Sequence, residues 1–435
     1  MSRQYKGMWR SSAIWIGCSN RLKKIRASSI SSLPTQASPN TLHWGPPHPV
    51  LGKLTQVNFS VHAALRVITF CALFMANTLL LFAQTLKYGK PPNVRNGERI
   101  FKTTCVACHA SDGRGTPQTT AGFVRPDTFP DFTRCDQTTP EPNSVWKDVI
   151  VHGGPSRGFS KIMPVWGQLL SSEQIDDVIA YLRTLCTNKH WPRGELNLPR
   201  ALVTEKAFPE DEVVISSAVN ARGAPGVSMD IIHEQRFGVK NQIEIDVPLE
   251  FQNQNHTWYG GVGDTTLALK RELFSSLRSG SILSLQGGLL VPTGNRTRGF
   301  GSGTTTFETF AAFDQLFPTN TFLQTQVGAD LPRHTDIAPQ SIFWRIAVGQ
   351  SFAANRGLGR LWSPMVEFLA DRDLTTGAKT NWDIVPEMQV TISRRQHIRA
   401  NLGVRTPMTN TTGRPVQLMF YLLWDWGDGK LTEGW

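Results

Sequence analysis

The spacing of apolar residues divides this 435-residue chain into stretches of different period. From about Asn96 to Cys186 they recur at three and four, the spacing that lines one face of a helix. Asn96-Gly97-Glu98-Arg99 opens one such run, which carries Ile100, Phe101, Cys105 and Cys108. Ser171-Ser172-Glu173-Gln174 predicts a second helix start, with a capping box from Ser171 to Gln174 and an apolar stripe of Ile175, Val178, Ile179, Leu182 and Leu185 behind it. A passage rich in Pro, Gly and charge follows to about Ser228, and beyond it the period falls to two.

In that last stretch Ile243, Ile245, Val247, Leu249 and Phe251 alternate with Glu244, Asp246, Pro248 and Glu250, as in a strand with two unlike faces. The same alternation marks Ile342 to Val348, Trp382 to Ile392 and Leu418 to Trp426, with turn sequences at 292–295 and 411–414 between such runs. Roughly ten to twelve strands of about 10 to 13 residues are expected, the length a tilted strand needs to cross a bilayer. No helical pattern is available to cover a sheet face, so the sheet must pack on another sheet or close on itself, and closure also removes its edges. The expected fold is therefore multidomain, an all-α domain followed by an all-β domain that forms an up-and-down outer-membrane barrel. Its lumen would hold Glu244, Asp246, Glu250, Arg345, Glu367, Asp371, Asp383, Glu387 and Asp425, with Val385 and Leu423 as apolar exceptions. Trp258, Trp344, Trp362, Trp382, Trp424 and Trp426 fit the aromatic girdles of such a barrel, although each alone could equally be a core residue.

The net charge of +11 would ordinarily point to nucleic acid or an anionic surface. It does not do so here, because Met1 to Gly97 holds twelve Lys or Arg and no Asp or Glu, leaving 33 basic against 34 acidic residues elsewhere. The basic balance belongs to a leader, and no nucleic-acid partner is expected. Within it, Val67 to Leu86 is an uncharged stretch preceded by Arg66, which reads as a translocation signal. A cleaved signal ending near Ala83 and a retained anchor are the alternatives. A barrel downstream favours cleavage, because one small domain would otherwise have to bridge two membranes.

Cysteine chemistry supplies the first function. Cys105-Val106-Ala107-Cys108-His109 places two thiols three residues apart, where both can add to the vinyl groups of one haem, with an imidazole next in line for the iron. A zinc half-site or a redox Cys pair would use similar spacing, but no second ligand pair follows for zinc. One haem c per chain is expected, since no second Cys-X-X-Cys-His occurs. Met163 is the candidate distal ligand and His152 the alternative. Cys135 and Cys186 remain as a disulfide pair or as two buried thiols.

Gly97 to Phe101, Cys105 to His109, Asp112-Gly113-Arg114-Gly115, Met163 to Gly167 and Ile175 to Leu185 together resemble a class I cytochrome c domain, over about 92–187. The resemblance implies a small helical haem fold with His109 and Met163 as axial ligands, and with Gly97 and Phe101 crossing the last helix near Tyr181 and Leu182. Tyr259 to Lys270 is similar to a strand of bacterial outer-membrane barrels of the phenol-degradation-pathway transporter type.

The expected organisation is a leader over 1–83, a haem domain over 92–187, a connector over 188–228 and a barrel over 229–435. The function that follows is electron transfer by an outer-membrane-anchored, periplasm-facing haem domain that exchanges electrons with redox partner proteins. No catalytic site is expected. The alternative is a pore for small or aromatic solutes with an attached cytochrome. Arg157 and Lys161 are expected either beside the haem propionates or as ordinary surface charge, and Trp166 as a residue that packs the haem pocket.

Overall fold

The computed structural model describes residues 91–126, 129–139, 141–187, 193–317, 320–353, 361–393, 396–427 and 430–432. The expected leader and its cleavage site lie outside the described residues. The helical part holds α1 (Val94–Thr104), α2 (Val106–His109), α3 (Cys135–Thr138), α4 (Asn143–His152) and α5 (Ser172–Leu185).

Two of these helices form the frame. The Asn93 side chain caps α1 by accepting from the Asn96 amide, and the capping box at Ser171 and Gln174 starts α5, satisfying amides that a helix terminus leaves open. The α1 face of Gly97, Ile100 and Phe101 packs on the α5 face of Val178, Tyr181 and Leu182. A Cβ on Gly97 would lie 1.9 Å from the Asp177 carbonyl oxygen, so the two backbones approach this closely only because the residue is glycine. Asp177 in turn accepts from the Asn93 amide at 2.6 Å and the Asn96 side chain at 2.7 Å.

The strands are β1 (Glu212–Arg222), β2 (Gly226–Phe237), β3 (Asn241–Gln254), β4 (Thr257–Val262), β5 (Thr265–Ser276), β6 (Ser281–Val291), β7 (Thr306–Leu316), β8 (Thr321–Pro332), β9 (Ser341–Gln350), β10 (Phe352–Ala353), β11 (Leu361–Asp373), β12 (Asn381–Thr391), β13 (Ile398–Pro407) and β14 (Val416–Asp425). All pairings are antiparallel, and apart from β3 with β5, β9 with β11 and β1 with β14 they join chain neighbours, so the sheet closes. Without the short β4 and β10, which ride beside β3 and β11, the ring has twelve strands.

Alternation decides which side is wet. Ile243, Ile245, Phe251, Leu418, Phe420 and Leu422 are exposed on the outside, whereas Glu244, Glu367, Asp383, Glu387 and Asp425, with Val385 and Leu423, are buried inside. An apolar exterior around a polar interior is the pattern of a transmembrane barrel. Trp344 and Trp382, whose rings meet edge to face at 5.6 Å, stand at one end of the wall, and Trp362, Trp424 and Trp426 at the other.

Two expectations change. The similarity over Tyr259 to Lys270 suggests one strand, but the ladder breaks between β4 and β5 at Gly263 and Asp264. Asp264 accepts from the amides of Gly294 at 3.1 Å and Ser302 at 2.7 Å, tying the break to the long loop after β6. The stretch 188–228, expected as a connector, instead contributes β1, and its residues 197–211 enter the barrel lumen as a plug.

The plug is held by wall side chains that satisfy its backbone. Glu367 accepts from the amides of Val203 at 3.0 Å and Thr204 at 2.6 Å, Glu387 from Leu202 at 3.0 Å, and Asp314 from Ala207 at 2.8 Å. Tyr421 donates to the Arg200 carbonyl at 2.6 Å, and Arg200 itself lies 2.8 Å from both Glu212 and Glu234. Asn197 and Glu210, at the two ends of the plug, are bonded at 3.2 Å, so the segment folds back to leave where it came in. A lumen carboxylate accepting an amide replaces the water both groups lose on burial, which is why so polar a wall tolerates a chain inside it. The plug occupies the lumen half nearest the start of β1 and the end of β14. That barrel end carries the connections 238–240, 277–280, 317–320, 351–360 and 392–397, and the other carries 223–225, 292–305, 333–340, 374–380 and 408–415, which are longer on average.

Candidate haem site

The Cys-X-X-Cys-His segment is built by one continuous helical course with a corner in it. Cys105 closes α1, its amide donating to the Phe101 carbonyl at 2.9 Å, and also begins α2, its carbonyl accepting from Cys108 at 3.2 Å and His109 at 2.9 Å. One turn therefore carries both thiols, each half-buried and free, together with the imidazole. Ala110, at φ 56°, ends the helix immediately after His109.

His109 sits between two rings, Phe129 at 5.2 Å and Phe132 at 5.1 Å. Desolvation by this apolar cage lowers its pKa to about 4, which keeps the ring neutral with a lone pair available, the form an iron ligand requires. Its Nδ1 is buried and has no hydrogen-bond partner among the described residues. A neutral imidazole directly after two free thiols fits a covalently attached haem, which the thiols would hold and the imidazole would ligate.

Met163 lies in a loop that is tied to the end of α4. The Gly154 amide donates to the Met163 carbonyl at 3.1 Å, while Trp166 and Gly167 donate to Ile150 and Val151 of α4 at 3.0 and 3.1 Å. A Cβ on Gly154 would lie 2.2 Å from the Ser160 carbonyl oxygen, so this loop closes on glycine. Met163 and Trp166 are half-buried, with Ile162, Val165 and Leu169 exposed beside them. From α4, Trp146 reaches the cage at 5.5 Å from Phe132.

The other expected residues are placed as follows. His152 is bonded through Nδ1 to Asp148 at 2.9 Å on the surface of α4. Arg157 is buried and bonded to the same Asp148 at 3.0 Å, while Lys161 is exposed. Cys135 and Cys186 form a disulfide with a Cα separation of 5.2 Å, joining α3 to the end of α5. Sequence reasoning did not pick out Phe129 and Phe132, because aromatic residues in an irregular Pro-rich stretch have no period to signal their burial. Nor did it find Arg183, which fixes the domain to the neck below it: the Gly194 amide donates to Thr139 at 2.8 Å, and Glu195 lies 3.7 Å from Arg183.

A sequence model of the family described as "Cytochrome c" matches residues 94–186. Among solved structures, an outer membrane channel from Pseudomonas putida F1 aligns at 11% identity over 50% of this chain and 96% of its own, with a TM-score of 0.35. LpxR from Salmonella typhimurium aligns at 9% identity over 49% and 99%, with a TM-score of 0.32. A KdgM porin in complex with disordered oligogalacturonate aligns at 7% over 49% and 98%, with a TM-score of 0.31. Residues 94–186 are thus a cytochrome c domain, which implies covalently bound haem c, and this chain joins that domain to a closed twelve-strand barrel.

Proposed function

We propose that the protein is a mono-haem electron carrier fixed to the periplasmic face of the outer membrane, with Cys105 and Cys108 holding the haem and His109 and Met163 as its axial ligands. Bound there, haem c supplies an iron that accepts and returns one electron, and with both axial positions filled it does so with little change in coordination. The carrying observation is the Cys105 to His109 turn with its two free thiols and caged imidazole, and the Met163 loop that Gly154 and α4 hold in a defined conformation is the candidate for the second ligand. The apolar cage of Phe129 and Phe132 excludes water from the imidazole, and Trp146 ties that cage to the helix supporting the Met163 loop.

The barrel's connections support this placement. Transmembrane barrels of this type keep short turns on the periplasmic side and longer loops outside. The haem domain joins at the end whose connections are shorter on average, which supports a position in the periplasm, where redox partner proteins can reach it. The plug supports an anchoring role over the pore alternative, because the domain's own neck continues into the lumen and occupies its inner half.

Cell fractionation with haem staining tests the reading as a whole. A single haem-stained band in the outer-membrane fraction, with heat-modifiable migration and a mass that lacks the leader, is expected. Haem staining confined to the soluble or inner-membrane fraction would remove the anchor.

A further inference from the structure

The two rims of the barrel treat their cations differently. At the end where the haem domain joins, Arg236 pairs with Asp211 at 2.7 Å, Lys240 with Glu272 at 3.1 Å and Arg399 with Asp425 at 3.7 Å. Arg271 donates there to the Asn241 side chain at 2.9 Å, and Arg278, on the turn 277–280, is exposed. At the other end Arg405 and Arg414 share Asp383 at 2.6 Å each, but Arg222, Arg333, Arg372 and Lys379 are exposed and have no carboxylate partner among the described residues. One rim thus neutralises most of its own charge, and the other leaves a set of cations open.

Three of the open arginines end lipid-facing columns of the wall. Period two puts Arg372 on the face of the exposed Phe368, opposite to that of the buried Glu367 and Leu369. Arg222 stands across the ladder from Val416, the neighbour of the lumen-side Gln417. The Arg333 amide donates to the Thr305 carbonyl at 2.9 Å, which extends β8 beyond the buried Pro332 and sets Arg333 above Leu331, the partner of the exposed Phe307. Depth is marked by tryptophan. Arg372 lies one outward position beyond Ala370, which the ladder sets between Trp344 and Trp382. An arginine just past a tryptophan pair keeps its stem on hydrocarbon and its charge among the headgroups. Only β9 separates the strands of Arg333 and Arg372, so both border the same stretch of lipid.

We propose that Arg222, Arg333 and Arg372 bind the phosphate groups of a phosphorylated glycolipid in the outer leaflet, which rests on the placement of this rim outside the periplasm argued above. A guanidinium offers its donors in a planar fork that matches phosphate oxygens. A phosphomonoester carries up to two charges and three free oxygens, so it satisfies several open arginines better than the single charge of a phosphodiester. Because the opposite rim holds its own carboxylates, the anions that this barrel takes from the membrane lie on one side only.

The test titrates the full haem-loaded chain, held in a non-ionic detergent, with lipid A and counts bound lipid by native mass spectrometry. Saturable binding is expected. Arg222→Gln/Arg333→Gln/Arg372→Gln should weaken it by about tenfold or more, whereas Arg278→Gln at the opposite rim should leave it unchanged. Heat-modifiable migration checks that each variant folds, and Arg333→Gln/Arg372→Gln decides if the triple variant does not. Absence of saturable binding, equal binding by the folded variants, equal weakening by Arg278→Gln, or equal binding of dephosphorylated lipid A or of phosphatidylglycerol overturns the proposal and leaves the placement of the barrel standing. That placement is checked apart, by a membrane-impermeant maleimide on intact cells carrying Thr412→Cys in the connection 408–415. Labelling is expected, and its absence overturns the placement and the outer-leaflet partner together.

Discussion

Arg183, on the last turn of α5, reaches Glu195 of the neck at 3.7 Å while its guanidinium lies 3.9 Å above the centre of the Trp146 ring. The same group donates to the carbonyls of Thr138 and Glu141 and, at 2.9 Å, to the side chain of Asn143. Burial lowers its pKa to about 10, so it remains charged at neutral pH. One side chain therefore closes the haem domain and fastens it to the segment that runs into the barrel. Arg183→Ala removes the donor shared by the Thr138 and Glu141 carbonyls and the Asn143 side chain and takes the guanidinium off the Trp146 ring, and should cost about 3 kcal/mol. Thermal unfolding followed at the haem absorbance measures this. Arg183→Lys should recover only part of the loss, because an ammonium cannot reproduce the planar fork. Wild-type stability in the alanine variant would remove Arg183 from this role.

The disulfide acts on the same region from the other side. Cys135 starts α3 and Cys186 follows α5, at a sequence separation of 51. Thr138 and Thr139, which present carbonyls to Arg183 and Gly194, stand on the turn that Cys135 begins. Cross-linking so distant a pair restricts the unfolded chain by about 4 kcal/mol in the chain-entropy picture. The double variant Cys135→Ser/Cys186→Ser should lose stability of that order in denaturant titrations, with the haem spectrum of the folded form unchanged. A spectral change at low denaturant would mean that the bond shapes the haem pocket itself.

Gly154→Ala tests the Met163 loop without touching a ligand. The added Cβ would stand 2.2 Å from a backbone oxygen of Ser160, which cannot move as a side-chain tip would, so residues 160–163 must shift. Overpacking of this kind costs about 1–3 kcal/mol. The Met-to-iron absorption band should weaken and the potential fall, in the direction of Met163→Ala but less completely, because loss of a Met ligand favours the ferric state. Gly122→Ala is the control, since a Cβ there meets nothing within 4 Å, and should leave band and stability alone. An intact band in both Gly154→Ala and Met163→Ala would dismiss Met163 as a ligand.

How much of this was legible in the sequence depended on whether a residue's role is set by its neighbours along the chain. The haem turn was readable because covalent geometry fixes Cys105, Cys108 and His109 within five positions. The wall strands were readable because lipid outside and polar groups inside impose period two, and Glu367, Glu387 and Asp425 face the lumen as expected. The plug was not readable. Leu202 to Ala207 have no period, and what makes them an internal segment is a set of partners on β7, β11 and β12, more than a hundred positions away. β1 was missed for a related reason: its lumen-side positions, such as Ala218, are small and packed against the plug side chains, so the contrast between its faces is weak.

That dependence on remote partners makes the plug separable from the wall, and its removal is the sharpest test of what the barrel does. In the intact chain the inner half of the lumen is filled, with Leu196, Ala207 and Phe208 packed against Ile282, Phe310 and Phe343, and with the Glu367, Glu387 and Asp314 carboxylates spent on plug amides. The full chain in planar bilayers should therefore show little conductance. Replacing residues 198–208 by a flexible Gly/Ser segment of equal length keeps the haem domain attached and the twelve strands closed. A ring of twelve strands encloses more than its own side chains fill, so conductance should rise by about tenfold or more. The carboxylates freed from the plug would then line the passage and favour cations over anions, which reversal potentials in a salt gradient measure. Glu367→Gln/Glu387→Gln in the plug-deleted chain should reduce that preference. If the intact chain already conducts as well as the deletion, the plug does not close the barrel, and solute passage would have to be restored as a function of the native protein.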